Sequence, residues 1–234
     1  EEVIEEFVRT VEAHGPALEA ELKISHSDWE LVVVNDGSKD RTLQILEDLK
    51  KEFLNLTVLN HETNKGLGAA LNTGLNYASN KEGTDVVITM DADLTHPPQL
   101  IPKLIEAMHK DDADVAIASR YIPGGGMQDV PWWRVWISVL ANLFFRVFLG
   151  IKARDITAGY KAYSSDKIKD LKIERPGFAC QLEIMVKLAK LKAKFTEIPL
   201  LLTNRAKGSS KFRFFRMVPK YAAQIVVLFF VRWF

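Results

Sequence analysis

The first half of the chain alternates between apolar stripes at helical spacing and short, continuous apolar runs. The stripes cover residues 3–11, 43–53, 66–78 and 97–109. The continuous runs, rich in β-branched residues, cover residues 31–34, 56–59, 86–90 and 115–118. Because predicted helices and buried strands follow one another in this order, the pattern indicates a parallel sheet with helices on both faces.

The regular alternation stops near Tyr121. A loop at residues 122–131, which contains Pro123 and three glycines, is predicted to be mobile. The remaining segments predict a Trp- and Phe-rich helix at 132–151, a strand near 159–163, a helix at 178–191, a strand at 195–202, a basic loop at 203–211 and a last aromatic helix. The chain shows no repeat and no linker, so a single domain over residues 1–234 is expected.

A helix, not a strand, opens the chain. Doubly wound sheets ordinarily begin with a strand, whereas the first predicted strand here comes only at residues 31–34. We therefore expect that the first strand of the sheet is missing from this sequence.

The composition permits a large core and argues against a nucleic-acid partner. Apolar residues make up 47% of the 234, and the formal net charge is only +1. The charges are nevertheless uneven, because residues 1–30 are acidic and every charged residue after Glu197 is basic. That basic, aromatic end indicates an anionic partner, although an ordinary solvated helix is the alternative.

The single cysteine, Cys180, excludes an internal disulfide and a multi-cysteine zinc site. Its apolar neighbours predict a buried structural thiol. No signal peptide is visible. We also expect no segment that spans a membrane, because Arg134, Arg146 and Arg232 interrupt the longest apolar stretches.

Two acids, Asp91 and Asp93, directly follow the predicted strand at 86–90 and flank Ala92. In open parallel sheets, ligands bind beyond the carboxyl ends of the strands. Two carboxylates there can hold Mg²⁺ or Mn²⁺, which takes further ligands from substrate phosphates. The same triplet recurs at residues 112–114, but it precedes a strand and is expected to form a solvated turn. Position therefore makes residues 91–93 the candidate metal site.

Polar residues follow two other predicted strands. Asp36 stands at the tip of the strand at 31–34, and because Ser38 and Asp40 can cap the next helix, Asp36 is expected to be free to bind a base or ribose. A turn or capping role is the alternative. Lys65 and Gly66 open a helix where they could meet a phosphate, and a plain helix-start turn is nearly as plausible.

Five motifs carry a family resemblance. In chain order, they are VVVNDGSKDRT, NKGLGAALNTGL, DVVITMDADLTHPPQLIPKLIEAM, IASRY and RDITAGYKAY. The chain resembles the family-two inverting glycosyltransferases of GT-A fold, and among them the dolichyl-phosphate (polyprenyl-phosphate) mannose and glucose synthases. The resemblance implies a Rossmann-like, mostly parallel sheet flanked by helices. It also implies a nucleotide-sugar half (1–120), an acceptor half (121–211) and a basic aromatic helix (212–234).

The same resemblance implies roles for individual residues. Asp36 is expected to contact the nucleobase, and Asp91 and Asp93 to hold the donor diphosphate through Mg²⁺ or Mn²⁺. The residues expected around the acceptor phosphate are Arg120, Arg134, Ser138 and Lys207. Thr95 and Lys207 stand where the synthases often have Gln and Arg, and the opening strand that helps them hold the base is absent here.

The residues also favour a phosphate acceptor independently. Arg134 and Ser138 are spaced i, i+4 and so share one helix face, and Arg120 and the basic loop that begins at Arg205 could complete a cationic pocket. A phosphate monoester has its second pKa near ~6 and needs little help from a base. Asp155 is either an orienting acid or base, or an Asp paired with Arg154 in a turn.

The expected function is transfer of mannose from GDP-mannose to a polyprenyl phosphate with inversion. UDP-glucose or UDP-GlcNAc as donor, or a carbohydrate hydroxyl as acceptor, is the alternative, and a sugar-1-phosphate nucleotidyltransferase is the alternative of another class. The aromatic helices at 132–151 and 212–234 suit a membrane surface, although both could be buried packing helices. A membrane-associated enzyme with its catalytic domain in the cytoplasm is expected, with a further membrane span possible outside this sequence.

Overall fold

The computed structural model describes residues 2–177 and 179–203. The strands in this part are β1 (Leu31–Asp36), β2 (Leu56–His61), β3 (Val86–Thr89), β4 (Val115–Ser119), β5 (Gly126–Met127), β6 (Lys161–Ser164), β7 (Phe195–Pro199) and β8 (Leu201–Leu202). The helices are α1 (Glu2–Leu22), α2 (Thr42–Glu52), α3 (Leu67–Asn80), α4 (Ile101–Lys110), α5 (Trp132–Leu149), α6 (Ser165–Ile168) and α7 (Ala179–Lys190). Single 3₁₀ turns cover His26–Asp28 and Pro98–Leu100.

Most of the strand pairs are parallel. β1 pairs with β2, β4 with β7 and β5 with β8 in the parallel sense. β6 lies between β3 and β4 and runs antiparallel to both. The prediction of a parallel sheet is therefore confirmed for three pairs and wrong for β6. All of Lys161–Tyr163 is buried, and such a fully buried run does not reveal the direction of its strand.

Alternate residues of β4 show why helices cover both faces. Val115 and Ile117 pack in one apolar cluster with α3, α6 and α7, whereas Ala116 and Ala118 pack in another with α4. This alternation is the two-residue period of a strand. A third cluster joins α1 and α2 to the β1–β2 pair. The layers expected from the apolar pattern are present.

A cavity separates β1 from β3. The two strands are not paired with each other in the described residues, and a space of about 1700 Å³ lies between them. Val33 of β1 and Val87 of β3 line it, together with residues of α1 and α3. Since neighbouring strands pair edge to edge, this is the position that a central strand would take. That a first strand is missing from this sequence stays a prediction.

The loop at residues 122–131 is more ordered than its glycines suggest. Its β5 residues pair with β8, and the backbone N–H of Gly126 and Gln128 donates to Leu200 and Leu202. The strand expected at 195–202 is accordingly split into β7 and β8. Gly125 lets the loop pass close to the end of β4, because a Cβ there would clash with the Ser119 carbonyl oxygen.

Candidate active site

The acids that follow β3 lie against a loop from another part of the chain. Asp91 is half exposed, and a Cβ on Gly159 would lie only 3.3 Å from its Oδ1 atom. The Thr89 hydroxyl donates to the Gly159 carbonyl oxygen at 2.9 Å. The absence of a side chain at Gly159 therefore leaves room for the Asp91 carboxylate and for whatever binds to it.

His96 contacts the backbone of Asp91. Its Nδ1 accepts the backbone N–H of Asp91 at 2.8 Å, and its ring stacks on Tyr160 with centroids 4.9 Å apart. Burial lowers the pKa of His96 and outweighs the attraction of Asp91 and Asp93. A neutral ring whose Nδ1 accepts a hydrogen bond carries its proton on Nε2, which lies 4.0 Å from Asp91 Oδ2. His96 thus holds the backbone of Asp91 while it adds no positive charge.

Asp93 lies in a tight turn with Thr95. The hydroxyl of Thr95 donates to Asp93 Oδ1 at 2.5 Å, and its backbone N–H donates to the same oxygen at 3.2 Å. Leu94 between them has a φ of 65°, a left-handed conformation that a leucine rarely adopts. The turn sets the direction of the Asp93 carboxylate. Ala92 between the two acids is exposed.

The donor set suits a hard cation that shares its ligands with a substrate. Among residues 2–177 and 179–203, no group of three or more His, Cys, Asp or Glu side chains could hold a metal ion by itself. Asp91, Asp93 and Gly159 line the same cavity, to which the two acids can offer carboxylate oxygens. Mg²⁺ and Mn²⁺ take one or two carboxylates and complete their shell with water and phosphate oxygens. The residues fit such an ion.

Asp36 is not the free carboxylate that the sequence suggested. His61 Nδ1 lies 2.7 Å from its Oδ1, and the backbone N–H groups of Lys65 and Gly66 donate to its two oxygens at 2.9 and 2.7 Å. Burial raises the pKa of Asp36, but these hydrogen bonds outweigh it and lower the pKa below its usual value. The carboxylate joins the end of β1 to the start of α3, and contact with a nucleobase stays a prediction.

The same contacts change the interpretation of Lys65 and Gly66. Gly66, with a φ of 91°, immediately precedes α3. Because Asp36 already accepts the N–H groups of Lys65 and Gly66, these donors are not available to a phosphate. The exposed Lys65 side chain could still reach an anion. The helix-start turn is therefore the better account of the backbone here.

Asp155 pairs with Arg120 and not with its neighbour Arg154. Asp155 is fully buried and accepts three hydrogen bonds from Arg120: from Nε at 2.7 Å, from Nη2 at 2.7 Å and from the backbone N–H at 2.9 Å. Burial lowers the pKa of Arg120, but the hydrogen bond and charge of Asp155 more than offset this and raise it. The alternative in which Asp155 pairs with Arg154 is therefore wrong. Arg154 is exposed, and among the described residues its backbone N–H donates to Glu197.

The predicted acceptor residues are only partly brought together. The Arg120 guanidinium lies 5.1 Å above the ring of Tyr121, and the hydroxyls of Tyr121 and Ser138 share a hydrogen bond of 2.6 Å. Arg134, one turn before Ser138, is exposed and lies over the ring of Trp133. The two remaining candidates, Arg205 and Lys207, lie outside the described residues, as does the tail helix.

Helix α5 presents an apolar face to solvent. Trp132, Trp136 and Val147 are 75%, 59% and 73% exposed, whereas Asn142 and Leu149 are buried. The helix is long and apolar enough to cross a membrane, with a mean hydropathy of 1.3. The expectation that no segment reaches this length is wrong, because two arginines among 18 residues leave the rest strongly apolar. Within the described residues, the interpretation of α5 as a buried packing helix is also wrong.

Several residues of this region were not identified from the sequence. His96 follows the acids within the same motif, and Asn142 is a polar residue inside an apolar helix, four residues after Ser138. These two features of the sequence could have indicated both residues.

Cys180 is buried as expected, and burial raises the pKa of its thiol to about 12.

Comparisons with known proteins show which family and which relatives the chain resembles. The model of the family described as glycosyl transferase family 2 matches residues 1–172. The undecaprenyl-phosphate mannosyltransferase of Micrococcus luteus is 36% identical over 185 residues, which make up 78% of this chain and 75% of that protein. The dolichol-phosphate mannosyltransferase of Pyrococcus furiosus is 38% identical over 189 residues, 80% of this chain and 51% of that protein, so the chain spans about half of its length.

Solved structures show the fold. Glucosyl-3-phosphoglycerate synthase from Mycobacterium tuberculosis, in complex with Mn²⁺, UDP and glucosyl-3-phosphoglycerate, matches with a TM-score of 0.59 at 19% identity. The match covers 87% of this chain and 68% of that one. The likeness confirms the predicted GT-A fold.

Proposed function

This chain belongs to glycosyl transferase family 2, and we propose that it transfers mannose from GDP-mannose to a polyprenyl phosphate. It is a glycosyltransferase, and the similar sequences are named as undecaprenyl-phosphate and dolichol-phosphate mannosyltransferases. Those names support the sugar and the class of acceptor. A UDP-glucose or UDP-GlcNAc donor remains the alternative, whereas membership of this family sets the nucleotidyltransferase alternative aside.

The observation that carries the proposal is the placement of opposite charges along one loop, residues 154–159, which we call the Asp155 loop. At its Gly159 end lie the acids Asp91 and Asp93. At its other end, Asp155 holds the Arg120 guanidinium. A donor diphosphate and an anionic acceptor need these two kinds of group side by side.

On the donor side, the two acids would hold Mg²⁺ or Mn²⁺. Such an ion would neutralise the charge that develops on the diphosphate leaving group. The glycosyltransferase with a similar fold was crystallised with Mn²⁺ and UDP, which supports a divalent metal in the family. His96 holds the backbone of Asp91, and Thr95 holds the carboxylate of Asp93.

On the acceptor side, Arg120, Arg134 and Ser138 would bind the phosphate. A phosphate oxygen attacks the anomeric carbon opposite the leaving diphosphate, so a new C–O bond forms as the old one breaks and the configuration inverts. Because the acceptor is already largely deprotonated above its second pKa near ~6, no side chain has to remove a proton. Asp155, fully occupied by Arg120, orients that arginine and does not act as a base.

The outward face of α5 supports a membrane location. Trp and Phe side chains enter the boundary between lipid headgroups and acyl chains, while arginine meets anionic headgroups. α5 exposes Trp132, Trp133, Trp136 and Phe144, with Arg134 and Arg146 on the same helix. We propose that α5 rests on the membrane surface, with the catalytic domain in the cytoplasm.

A donor panel tests the function directly. The protein is incubated with GDP-mannose, UDP-glucose or UDP-GlcNAc, Mg²⁺ or Mn²⁺, and polyprenyl phosphate in mixed micelles, and the extracted lipid is analysed by mass spectrometry. Mannosyl lipid from GDP-mannose alone is expected. Transfer only to a soluble sugar hydroxyl would refute the acceptor, and lipid product from a UDP-sugar alone would refute the donor.

Arg134 tests the acceptor side. Replacing it by Ala should raise the acceptor KM by about 10-fold, the range seen when one charged hydrogen bond to a phosphate is lost, and leave the donor KM within about twofold. Arg146→Ala on the same helix is the matched control. Equal effects of Arg134→Ala on both KM values would count against the phosphate pocket.

A further inference from the structure

The Asp155 loop has no regular secondary structure, yet side chains from several elements hold its backbone. Glu197 of β7 accepts the N–H groups of Arg154 and Asp155 at 2.8 and 2.9 Å. Lys161 of β6, fully buried, donates to the carbonyl oxygens of Ile156 and Ala158 at 3.4 and 2.6 Å. The loop that carries both ends of the site is therefore fixed from outside itself.

Asn142 is the residue of α5 that binds the backbone of the Asp155 loop. Its side chain is 2% exposed, and its Oδ1 accepts the N–H groups of Ile156 and Thr157 at 2.9 and 3.3 Å. Its Nδ2 donates to the Ser138 carbonyl oxygen at 2.9 Å and to the Thr157 hydroxyl at 3.2 Å. Both donors and both lone pairs of the amide are thus used, as a buried amide requires.

Thr157 connects Asn142 to the guanidinium of Arg120. Its Oγ1 accepts a hydrogen bond from Arg120 Nη2 at 3.0 Å, in addition to the one from Asn142. Arg120 Nη2 also donates to Asp155. A chain of hydrogen bonds consequently runs from the inner side of α5, through one hydroxyl, to the arginine proposed to face the acceptor.

We propose that Asn142 is a positioning residue: through Thr157, it ties the orientation of Arg120 to the position of α5. The inference rests on the proposed function, because it concerns the acceptor side of that site. Its physical basis is that a long arginine side chain has many rotamers, and that holding its planar group in one orientation restricts it to the productive one. The outer face of the same helix is the exposed apolar surface. Lipid contact that shifts α5 would therefore also change the orientation of the Arg120 guanidinium.

Two variants test the chain of contacts. Asn142→Leu keeps the approximate volume and removes every hydrogen bond of the side-chain amide, whereas Thr157→Val keeps the shape and removes only the hydroxyl. Each should raise the acceptor KM by about 10-fold, at the lower end of the effect of supporting residues around a site, while the donor KM stays within about twofold. The double variant should be no worse than the more affected single variant, because both changes break one chain.

Asn72→Leu is the matched control. The Asn72 Oδ1 accepts the backbone N–H of Ile173 at 2.9 Å, so this change also removes a loop-holding amide, but away from Arg120. It should leave both KM values unchanged, and Thr157→Ser, which restores the hydroxyl, should recover the wild-type acceptor KM.

Three outcomes would overturn the inference. They are an unchanged acceptor KM in both single variants, an equal rise of donor and acceptor KM, and multiplied effects in the double variant. Should Asn142→Leu fail to fold, the acceptor KM of Thr157→Val still tests the chain of contacts, because this variant leaves the backbone contacts of the loop intact. If the wild-type protein transfers nothing to polyprenyl phosphate, the proposed function is refuted. If the wild type is active but both single variants keep its acceptor KM, only the role of Asn142 is refuted.

Discussion

The chain contains the triplet Asp-Ala-Asp twice, and the two copies lie in opposite surroundings. Residues 91–93 follow β3, whereas residues 112–114 precede β4. Asp112 pairs with Lys194, whose backbone N–H also donates to Asp114 at 2.8 Å. Lys167 lies 3.6 Å from Asp114. Lysines thus neutralise the second copy, which forms the solvated turn that its position predicted.

In the first copy, each acid has a contact with a neutral side chain. His96 accepts the backbone N–H of Asp91, and Thr95 donates to Asp93. Acids at the end of a strand raise the local negative potential there, which favours a cation. Because the two copies have the same residue types, we propose that position at the end of a strand makes residues 91–93, and not residues 112–114, the site for a cation.

The largest expected difference between the copies is in turnover. Asp91→Asn should lower kcat by about 100-fold or more, since the amide removes a charged ligand next to the leaving group. Asp112→Asn should leave kcat within about twofold. Initial rates with saturating GDP-mannose and polyprenyl phosphate measure both, and similar losses in the two variants would abolish the distinction.

The second-largest difference between the two copies is expected in the metal-dependent affinity for GDP. With Mn²⁺ present, Asp93→Asn should weaken GDP binding by about 10-fold or more, because one of two carboxylate ligands is lost. Asp114→Asn should bind GDP as the wild type does. Calorimetric titrations with Mn²⁺ and with excess EDTA measure this, and tight GDP binding by every variant in EDTA would show that the acids hold no metal.

His96 should have an intermediate effect. His96→Phe keeps a ring to stack on Tyr160 but leaves the Asp91 N–H without its acceptor, at a cost of about 1–3 kcal/mol in stability. A fall in kcat of about 10-fold should accompany it, in the range of supporting groups around metal ligands. Thermal unfolding and kinetics together measure this. Unchanged kcat with lowered stability would reduce His96 to a packing role.

The smallest effect is expected at the second copy. Asp114→Asn should lower the free energy of unfolding by less than about 1 kcal/mol, because its ion pair with Lys167 is partly exposed. Urea unfolding monitored by circular dichroism measures the change. A loss above this range would mean that the turn stabilises the fold more than its contacts indicate.

Much of the fold could be predicted from the apolar pattern. The helices at the positions of α1 to α5 and α7 follow from the spacing of apolar residues, because burial of one helix face imposes that spacing locally. Strands β1 to β4 follow from short, continuous apolar runs. The direction of β6 and the short β5–β8 pair could not be predicted. Both depend on which strand edges meet in space, and two-residue strands leave no periodic signal.

The candidate site divides in the same way. Asp91 and Asp93 were identified because a strand end is recognisable from its own residues. The partner of Asp155 was not, since Arg120 lies 35 positions away and a neighbouring arginine offered a plausible local substitute. Asp36 was expected to be free because its donors belong to a later turn, at Lys65 and Gly66.

By itself, the sequence determined the alternation of helices and strands, the family resemblance and the acids at the tip of β3, all of which depend on short stretches of chain. Only the tertiary structure decided which charged groups pair with each other. Pairing depends on distances between loops that are remote in sequence, and the order in which strands assemble into sheets sets those distances.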